Sequence, residues 1–436
     1  MEVACNGTAT KVALVEKQEP VLIPPAEKTF DGLYLLSNLD QTFPFRIEIL
    51  FSYRKGMGNA AEIIKESLAK ILVEFYPFAG CLTVTRDGKM GVRCTGEGVP
   101  FVEAISSSTI EELGDISRAD PVKFRKLVHH LDKVDSILDV PPLTVQITSF
   151  RCGGIVLGIV MNHHVVDAKA LADFLNSWAE TTRGLPFSVD PCLDRSIISP
   201  RQPLIVDNPH PAFVEKQSAV RTTSLQFQEP IVYQSFCFEP KKLHQLKEMA
   251  KEDELVASPT SFEVISALVW IMRTKAYKIE PNKTTKMLAA VDGRRKFKPA
   301  LPDCFFGNGT IMSCAQCRAG DLVQKPLSFA VKKVHESINE VNEDYIQSAI
   351  DYYELTRGQY QLENTCWISK WSSLAFYDID FGWGKPQQVA PASTLDNLSV
   401  TLAQEKDSKN IILSLGLPES VMNIFQELMQ SELKPK

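Results

Sequence analysis

Two adjacent histidines followed by an aspartate form the pattern in this chain with the clearest chemical potential. His163 and His164 come directly after an apolar run at 154–161, and Asp167 follows His163 by four positions. The run is short and rich in β-branched residues, which predicts a buried strand. A strand that ends here would present an imidazole as a general base on a rigid scaffold, with the carboxylate holding the turn. Two structural alternatives stay open, because the histidines could be core residues and Asp167 could simply cap the next helix.

Three other patterns carry weaker chemical signals. At 380–384 two glycines flank a tryptophan, which predicts a tight turn where the backbone approaches another element closely. Cys314 and Cys317 have the spacing of a zinc or redox pair, but no second cysteine pair or suitably spaced histidine accompanies them. The basic cluster at 294–298 is typical of a solvated patch, although it could also meet the phosphates of an anionic cofactor. The sequence therefore predicts no metal site.

The composition is that of an ordinary globular protein. The chain has 436 residues, of which 44% are hydrophobic and 23% charged, and its formal net charge is −6. This length predicts at least two domains, and the acidic balance argues against a nucleic-acid partner. No apolar run approaches the ~20 residues that span a bilayer, and residues 1–7 lack the features of a signal peptide. We therefore expect a cytoplasmic protein whose ten cysteines are reduced thiols.

Hydrophobic periodicity and proline content divide the chain into two α/β halves. A proline-rich stretch at 191–218 is the best candidate for a linker, which predicts an N-terminal domain over 1–190 and a C-terminal domain over 219–436. The first domain would carry the histidine turn and the second the 380–384 motif. Apolar periodicity also predicts strands at 46–53 and 286–291 and helices at 261–277, 327–353 and 419–433.

The two motifs resemble those of the plant BAHD acyl-CoA-dependent acyltransferases. The resemblance covers nearly the whole chain and rests on His163-x-x-x-Asp167, on Asp380-Phe381-Gly382-Trp383-Gly384, and on family-like stretches at 76–80, 94–98, 291–294 and 306–308. It implies an α/β fold of two similar mixed-sheet domains, as in chloramphenicol acetyltransferase, with the active-site channel between them. It also implies a monomer that uses acyl-CoA as a co-substrate and holds no tightly bound cofactor.

The resemblance implies roles for individual residues. His163 is expected to be the general base, which takes a proton from the acceptor hydroxyl as that hydroxyl attacks the thioester. Asp167 is expected to point away from the channel and to pair with Arg294. The family pattern ranks Asp380 and Trp371 with the catalytic residues. The indole N–H of Trp371 would stabilise the oxyanion.

Other residues are expected to shape the site or to bind a substrate. For Asp380 we expect a part in shaping the fold beside the CoA site, together with Gly382, Trp383 and Gly384. The residues expected to contact CoA are Ser261, Ala290 and Asp292. The residues expected to line the acceptor channel are Ile47, Ile49, Phe51 and Lys370, and the apolar ones favour an aliphatic acceptor.

Three blocks resemble the hydroxycinnamoyl-CoA branch of the family and, within it, the ω-hydroxyacid and fatty-alcohol feruloyltransferases. They lie at 34–40, 95–99 and 350–354. The segment 355–367 is shorter than in members specific for shikimate or quinate, so Arg357 is not expected to grip an acceptor carboxylate. The sequence therefore favours hydroxycinnamoyl transfer to an ω-hydroxyacid or a fatty alcohol.

Several alternatives stay open. One is a hydroxycinnamoyltransferase that acts on shikimate or quinate, and another is an alcohol acyltransferase of specialised metabolism that uses acetyl-CoA or malonyl-CoA. A third is a binding protein that has lost catalysis, against which the intact His163 argues. The expected partners are acyl-CoA and a small acceptor molecule, with no nucleic acid and no membrane span.

Overall fold

The computed structural model describes residues 15–116, 120–130, 140–214, 229–372, 374–393, 399–404 and 408–433. Residues 1–7, on which the expectation about a signal peptide rests, lie outside this part, as do residues 215–218 of the expected linker. The strands are β1 (Val15–Lys17), β2 (Val21–Ile23), β3 (Gly32–Leu35), β4 (Arg46–Tyr53), β5 (Cys81–Val84), β6 (Met90–Cys94), β7 (Val99–Ser106), β8 (Leu143–Phe150), β9 (Ile155–Asn162), β10 (Phe213–Val214), β11 (Ile231–Phe238), β12 (Thr284–Asp292), β13 (Thr310–Arg318), β14 (Gln359–Tyr360), β15 (Thr365–Lys370), β16 (Gln388–Pro391), β17 (Ser399–Gln404) and β18 (Ile411–Pro418). The α-helices are α1 (Ala60–Ile71), α2 (Ile110–Leu113), α3 (Pro121–Phe124), α4 (Ala168–Thr182), α5 (Pro240–Lys251), α6 (Ser261–Ala276), α7 (Ala319–Gln324), α8 (Leu327–Glu340), α9 (Glu343–Thr356) and α10 (Glu419–Leu433).

Two mixed sheets form the framework of the molecule. The first has the strand order β1-β7-β8-β9-β4-β16, with β2 also paired to β7, and only β7 and β8 run parallel in its described strands. The second has the order β11-β18-β17-β15-β12-β13, and β15 runs parallel to both of its neighbours. Smaller sheets pair β3 and β5 with β6, and β10 with β14. The prediction of an α/β fold with two mixed-sheet domains is confirmed.

One strand from late in the chain belongs to the first sheet. β16 pairs antiparallel with β4, so that Val389 lies opposite Phe51. Phe381, from the 380–384 motif just before β16, is buried in the core of the first half. The expected boundaries had put all of 219–436, with this motif, in the C-terminal domain. The crossing has a physical reason: without β16, one side of β4 would be an unpaired sheet edge.

The strand that precedes the histidines is buried on both faces. Ile159 and Met161 of β9 pack in the main core of the first half, whereas Val156 and Val160 pack in a smaller cluster on the other side of the sheet. All of its residues are buried. A strand covered on both faces is continuously apolar, and this explains the uninterrupted run in the sequence. The histidine turn therefore begins from a rigid support.

Helix α4 begins directly after the histidine turn. Asp167 is its N-cap, and the carboxylate accepts a hydrogen bond from the backbone amide of Ala170 at 3.0 Å. Leu171, Phe174 and Trp178 recur at helical spacing and are fully buried in the first core. The capping role that the sequence left open for Asp167 is therefore present, alongside the further contacts described below.

One helical region predicted in the second half consists of two separate helices. The region 327–353, predicted as helical throughout, is split into α8 and α9. Asn342 stands at the break, and its side chain accepts a hydrogen bond from the amide of Tyr345 at 2.9 Å. Asparagine is favoured at this N-cap position because it satisfies a free backbone amide. Most residues of α6 are buried, so this helix runs through the second core.

Gly158, in the middle of β9, provides a test of this packing. A Cβ at Gly158 would lie 2.0 Å from the carbonyl oxygen of Leu127, a backbone atom that cannot rotate away. We expect Gly158→Ala to lower the free energy of unfolding by about 1–3 kcal/mol through overpacking, and the melting temperature with it. Gly58→Ala is the matched control, because a Cβ there meets no atom within 4 Å. Equal melting temperatures for the two variants would contradict the packing described.

Candidate active site

His163 is the first residue after β9 and lies against two phenylalanine rings. Its ring stacks on Phe43, with 4.6 Å between the centroids and an angle of 22° between the planes, and meets Phe45 edge-on at 4.9 Å. The backbone amide of His163 donates to the carbonyl oxygen of Phe45 at 2.9 Å. The residue is 8% exposed. The orientation of the imidazole is therefore fixed by both backbone and ring contacts.

Residues from both halves of the molecule converge on His163. Asn308, from the second half, donates through Nδ2 to the carbonyl oxygen of His163 at 2.8 Å. The ring of Phe45 contacts Trp367 of β15 at 5.7 Å between centroids. The ring of Phe43 likewise lies 5.9 Å from Tyr360. His163 therefore lies at the interface between the two halves.

Burial keeps the imidazole of His163 neutral. Loss of hydration lowers its pKa below the usual 6.5, and the negative charge of Asp167 offsets this shift only in part. Nδ1 of His163 is buried and has no hydrogen-bond partner within the described part of the chain. A neutral imidazole with a free nitrogen is able to accept a proton at neutral pH.

His164 has a structural part in the same turn. Its ring Nδ1 and its backbone amide each lie 3.0 Å from Oδ1 of Asn162. Burial lowers the pKa of His164 to about 4, so this ring is also neutral. Because its Nδ1 is engaged with Asn162, His164 stabilises the turn, and His163 is the better candidate for chemistry.

Asp167 and Arg294 form a buried ion pair with two points of contact. The Nη1–Oδ2 and Nη2–Oδ1 distances are both 2.8 Å. Oδ2 also accepts hydrogen bonds from the amide of Gly309 and the hydroxyl of Thr310, each at 3.0 Å. The ion pair implied by the resemblance is thus present. Among the described contacts, no hydrogen bond to this carboxylate comes from the His163 ring, so the arrangement differs from that of a hydrolase triad.

The charge of Asp167 is set by two opposing effects. Burial would raise the pKa of this carboxyl, but the guanidinium of Arg294 and the hydrogen bonds lower it to about 2. The two side chains are only 2% and 3% exposed. Arg294 also donates to the carbonyl oxygen of Gly307 at 3.0 Å. The pair is therefore fully charged at neutral pH and connects the histidine turn to the second half.

The 380–384 motif forms a tight turn closed by its own carboxylate. Oδ1 of Asp380 accepts from the amides of Gly382 and Gly384 at 2.8 and 2.9 Å. These glycines have φ angles of +104° and +97°, which side chains with a Cβ rarely adopt. Oδ2 of Asp380 faces Arg183 at 3.8 Å. These hydrogen bonds and the charge contact suit the expected part of Asp380 in shaping the fold, and its part in catalysis stays a prediction.

The aromatic residues of this motif anchor the turn to the first half. Phe381 stacks with Trp383 at 5.8 Å and meets Trp178 of α4 edge-on at 5.3 Å. The hydroxyl of Tyr53 donates to the carbonyl oxygen of Ile379 at 3.1 Å. The motif therefore packs against α4, the helix that begins at Asp167.

Alternation along β15 separates Lys370 from Trp371. Trp367 points towards the first half, and Trp371, four residues later, lies on the same face and contacts Phe376 at 5.9 Å. Ile368 and Lys370 point to the opposite face, where Ile368 is part of the second core. Lys370 is exposed at the end of β15, and its place in the acceptor channel stays a prediction. The part of Trp371 in catalysis stays a prediction.

The expected channel residues on β4 differ in burial. Ile49 and Phe51 are 0% exposed and belong to the core of the first half. A side chain that lines an open channel keeps accessible surface, so the expectation does not hold for these two. Ile47 lies opposite Met161, next to the histidine turn, and is only partly buried. It remains a candidate.

The residues expected to contact CoA lie on α6 and β12. Ser261 is the first residue of α6, whose N-terminal backbone amides suit an anionic group. Ala290 is half-buried on β12. Asp292 is more exposed, and its carboxylate accepts hydrogen bonds from the amide and from Nη1 of Arg294 at 3.0 and 3.2 Å. Asp292 therefore supports Arg294, and contact of all three residues with CoA stays a prediction.

The sequence patterns missed a group of buried polar residues beside the histidine turn. Asp40 pairs with Arg195 through Oδ2 and Nε at 2.9 Å, and Asn308 connects Asp40 to the backbone of His163. Arg195 lies in the expected proline-rich linker, and no motif in the neighbouring sequence indicates that this arginine is buried and paired. Asp40 and Asn308 fall inside family-like stretches, so their polarity among apolar neighbours was the available signal.

The paired cysteines show no sign of metal binding. Within the described ranges, no group of three or more His, Cys, Asp or Glu residues is placed to hold a metal ion. Cys314 and Cys317 lie three positions apart on β13, so their side chains point to opposite faces. Burial raises the pKa of Cys314 to about 12 and that of Cys317 to about 11. Both are therefore protonated thiols at neutral pH.

Two mixed-sheet domains meet at a neutral, buried histidine. This arrangement is that of a two-domain transferase with a general base between its domains. The model of the Transferase family matches residues 13–432. The chain belongs to this family, the BAHD acyltransferases, as its motifs predicted.

Individual relatives agree with the expected branch. The chain is 43% identical over 430 residues to omega-hydroxypalmitate O-feruloyl transferase of Arabidopsis thaliana, which covers 97% of this chain and 94% of the relative. It is 40% identical over 422 residues to fatty alcohol:caffeoyl-CoA acyltransferase of the same plant, with 95% and 98% covered. Identity to shikimate O-hydroxycinnamoyltransferase of Nicotiana tabacum is lower, 31% over 432 residues, with 95% and 99% covered.

A solved structure supports the fold. Vinorine synthase matches with a TM-score of 0.75 over 96% of this chain and 98% of its own, at 24% identity.

None of the helices in the described segments is both long and apolar enough to cross a bilayer.

Asp167→Asn tests the ion pair. The substitution removes the buried counter-ion of Arg294, a loss that typically costs about 3–5 kcal/mol, and leaves only the more exposed Asp292 at 3.2 Å. We therefore expect a lower melting temperature and lower activity at neutral pH. Asp378→Asn is the control, because its ion pair with Lys385 is 60% exposed on both sides and such pairs contribute about 0–1 kcal/mol.

The same variant has a characteristic pH dependence. The folded-state pKa of Asp167 lies below its usual 3.8, so its stabilising effect is present above that value and is lost as the pH falls towards about 2. The difference in unfolding free energy between wild type and Asp167→Asn should therefore shrink on acidification. Denaturant titrations from pH 7 to the lowest pH at which both stay folded measure it. A difference that stays constant below pH 3.8 would contradict the assignment.

Proposed function

We propose that this protein transfers an acyl group, a hydroxycinnamoyl group in particular, from acyl-CoA to the hydroxyl of an ω-hydroxyacid or a fatty alcohol. The observation that carries the proposal is the neutral, buried imidazole of His163 at the interface of the two halves. The names of two relatives, omega-hydroxypalmitate O-feruloyl transferase and fatty alcohol:caffeoyl-CoA acyltransferase, support the substrate class.

His163 acts as a general base in a direct displacement at the thioester. The acceptor hydroxyl gives its proton to the imidazole while its oxygen attacks the carbonyl carbon, and a tetrahedral oxyanion forms. Collapse of this intermediate breaks the carbon–sulfur bond, and the imidazolium returns the proton to the departing CoA sulfur. The products are the ester and free CoA, and the imidazole is neutral again. No acyl-enzyme is needed, because the acceptor itself is the nucleophile.

The tetrahedral oxyanion requires a hydrogen-bond donor aimed at it. The indole N–H of Trp371 is the candidate that the resemblance supplies. Trp367 is a second candidate on the same face of β15, because its indole nitrogen is buried and has no hydrogen-bond partner among the described residues. For acyl-CoA, which is a co-substrate, the candidate contacts are Ser261, Ala290 and Asp292.

The surroundings of His163 favour an apolar acceptor. Arg357, a candidate to grip a carboxylate, instead lies with Nη2 3.3 Å from Oε1 of Glu354, and Glu354 also accepts from Lys89 at 2.6 Å. The groups packed around the imidazole are aromatic. A long-chain alcohol gains about 0.8 kcal/mol for each methylene that it buries. A polyhydroxylated acid would gain no comparable free energy from burial against these aromatic side chains.

We further propose that the enzyme acts as a monomer in the cytoplasm. The monomer rests on the resemblance. The location is supported by the nine cysteines of the described chain, all of which are free thiols, as is typical of a reducing compartment.

His163→Ala tests the mechanism. Loss of a general base typically costs about 10²- to 10⁴-fold in rate, so we expect the turnover of feruloyl-CoA to fall by at least about 10²-fold. Melting temperature and CoA binding, measured by calorimetry, should stay close to the wild type. His244→Ala removes an exposed histidine on α5 and should leave turnover unchanged. Near-normal turnover by a folded His163→Ala protein would refute the mechanism.

In the wild type, activity should fall on acidification only below pH 6.5, where the lowered pKa of His163 lies.

The acceptor preference is measured with one acyl donor and two acceptors. With feruloyl-CoA, we expect kcat/KM to be higher for a long-chain ω-hydroxyacid than for shikimate, with the ester products identified by mass spectrometry. The reason is the apolar surface at His163 and the engagement of Arg357 with Glu354. A preference for shikimate of roughly tenfold, equivalent to about 1.4 kcal/mol in transition-state binding, would reverse the acceptor assignment but leave the role of His163 intact.

A further inference from the structure

A second buried carboxylate, Asp40, is connected to the histidine turn. It is 0% exposed and follows β3 in the first half. Oδ2 accepts hydrogen bonds from Nε of Arg195 at 2.9 Å and from the amide and hydroxyl of Ser37 at 2.8 and 2.9 Å. Oδ1 accepts from the backbone amide and Nδ2 of Asn308 at 3.0 and 2.8 Å. A carboxylate bound this fully has its position determined by its neighbours.

Two of the groups bound to Asp40 donate in turn to the backbone that carries the imidazole. Nδ2 of Asn308 lies 2.8 Å from the carbonyl oxygen of His163, and Nη2 of Arg195 lies 2.7 Å from that of Val165. The guanidinium of Arg195 is held over the ring of Tyr34, with 5.2 Å from Cζ to the centroid. The turn is therefore fixed at the carbonyl groups on either side of its central residue.

One short segment of the second half serves both buried carboxylates. The amide of Asn308 donates to Asp40, and the next amide, that of Gly309, donates to Asp167. A Cβ at Gly307 would lie 2.5 Å from the guanidinium carbon of Arg195, and a Cβ at Gly309 would lie 2.7 Å from Cγ of Arg294. Glycines at these positions let both arginines pack against the segment, which couples the two ion pairs.

We propose that Asp40 is a positioning residue for His163, which acts through Asn308 and Arg195 to fix the backbone of the histidine turn during acyl transfer. The inference rests on the proposed function, in which His163 is the base. Asp40 acts through its neighbours and need not touch a substrate. The charged groups around His163 are Asp40 with Arg195 and Asp167 with Arg294, while His164 is neutral. The negative charge of Asp40 favours the imidazolium and raises the pKa of His163, against the larger effect of burial.

Asp40→Asn, compared with Asp351→Asn, separates positioning from stability. Asp351 is an equally buried carboxylate that pairs with Arg201, Oδ2 to Nε at 2.6 Å, between α9 and the expected linker. Both variants should have a lower melting temperature than the wild type. Only Asp40→Asn should lower kcat, by roughly ten- to hundredfold, as small misplacements of a reacting group do, with a smaller change in KM. The acid limb of its kcat/KM profile should move to lower pH. Kinetics of Asp40→Asn equal to those of Asp351→Asn would overturn the proposal.

Two further measurements keep the outcomes distinct. Asn308→Ala retains both ion pairs and removes the donor to the carbonyl oxygen of His163, so it should lower kcat even where Asp40→Asn fails to fold. An NMR titration of the His163 ring, assigned with His163→Ala, needs no turnover. A wild type that transfers no acyl group refutes the proposed function. The titration midpoint, expected at lower pH in Asp40→Asn, still tests the inference, and an unchanged midpoint refutes it.

Discussion

The buried ion pair between Asp167 and Arg294 is the interaction on which the site depends. Two charges removed from water lose hydration that is worth several kcal/mol each, and the pair is stable here because the groups satisfy each other at two points. Asp167 belongs to the first half and Arg294 to the second. Each half therefore contributes one charge of the pair. The ion pair therefore connects the histidine turn to the second half.

The resulting imidazole differs from the base of a hydrolase triad. Its protonation state is set by burial between Phe43 and Phe45, and the nearest carboxylate is committed to an arginine. A pKa below 6.5 leaves His163 deprotonated at neutral pH. The CoA sulfur that departs has an ordinary thiol pKa of about 8.5, so an imidazolium of lower pKa is acidic enough to protonate it. One residue is thus suited to both proton transfers of a direct displacement.

Covalent connection reinforces this interface. The chain leaves the second half before the 380–384 turn, adds β16 to the first sheet and then returns to the second through β17. The turn packs Phe381 against Trp178 of α4, the helix that Asp167 caps. Lys89 and Glu354 add an ion pair of 2.6 Å between the halves. A motif far from the imidazole in sequence therefore supports the element on which the imidazole depends.

The sequence by itself determined the buried strand β9 and the two-domain α/β fold, because each follows from local apolar patterns or from motifs of the family, and it left the cap at Asp167 as one alternative. It also indicated the pairing of Asp167 with Arg294 through the resemblance. Tertiary structure decided the rest: Ile49 and Phe51 lie in the core, and Asp40 and Arg195 meet beside the turn. These outcomes depend on which strands pair, in what register, and on which buried charge finds a partner far along the chain. Local residue patterns carry no information on such choices, because the free energy that selects them comes from contacts between distant segments.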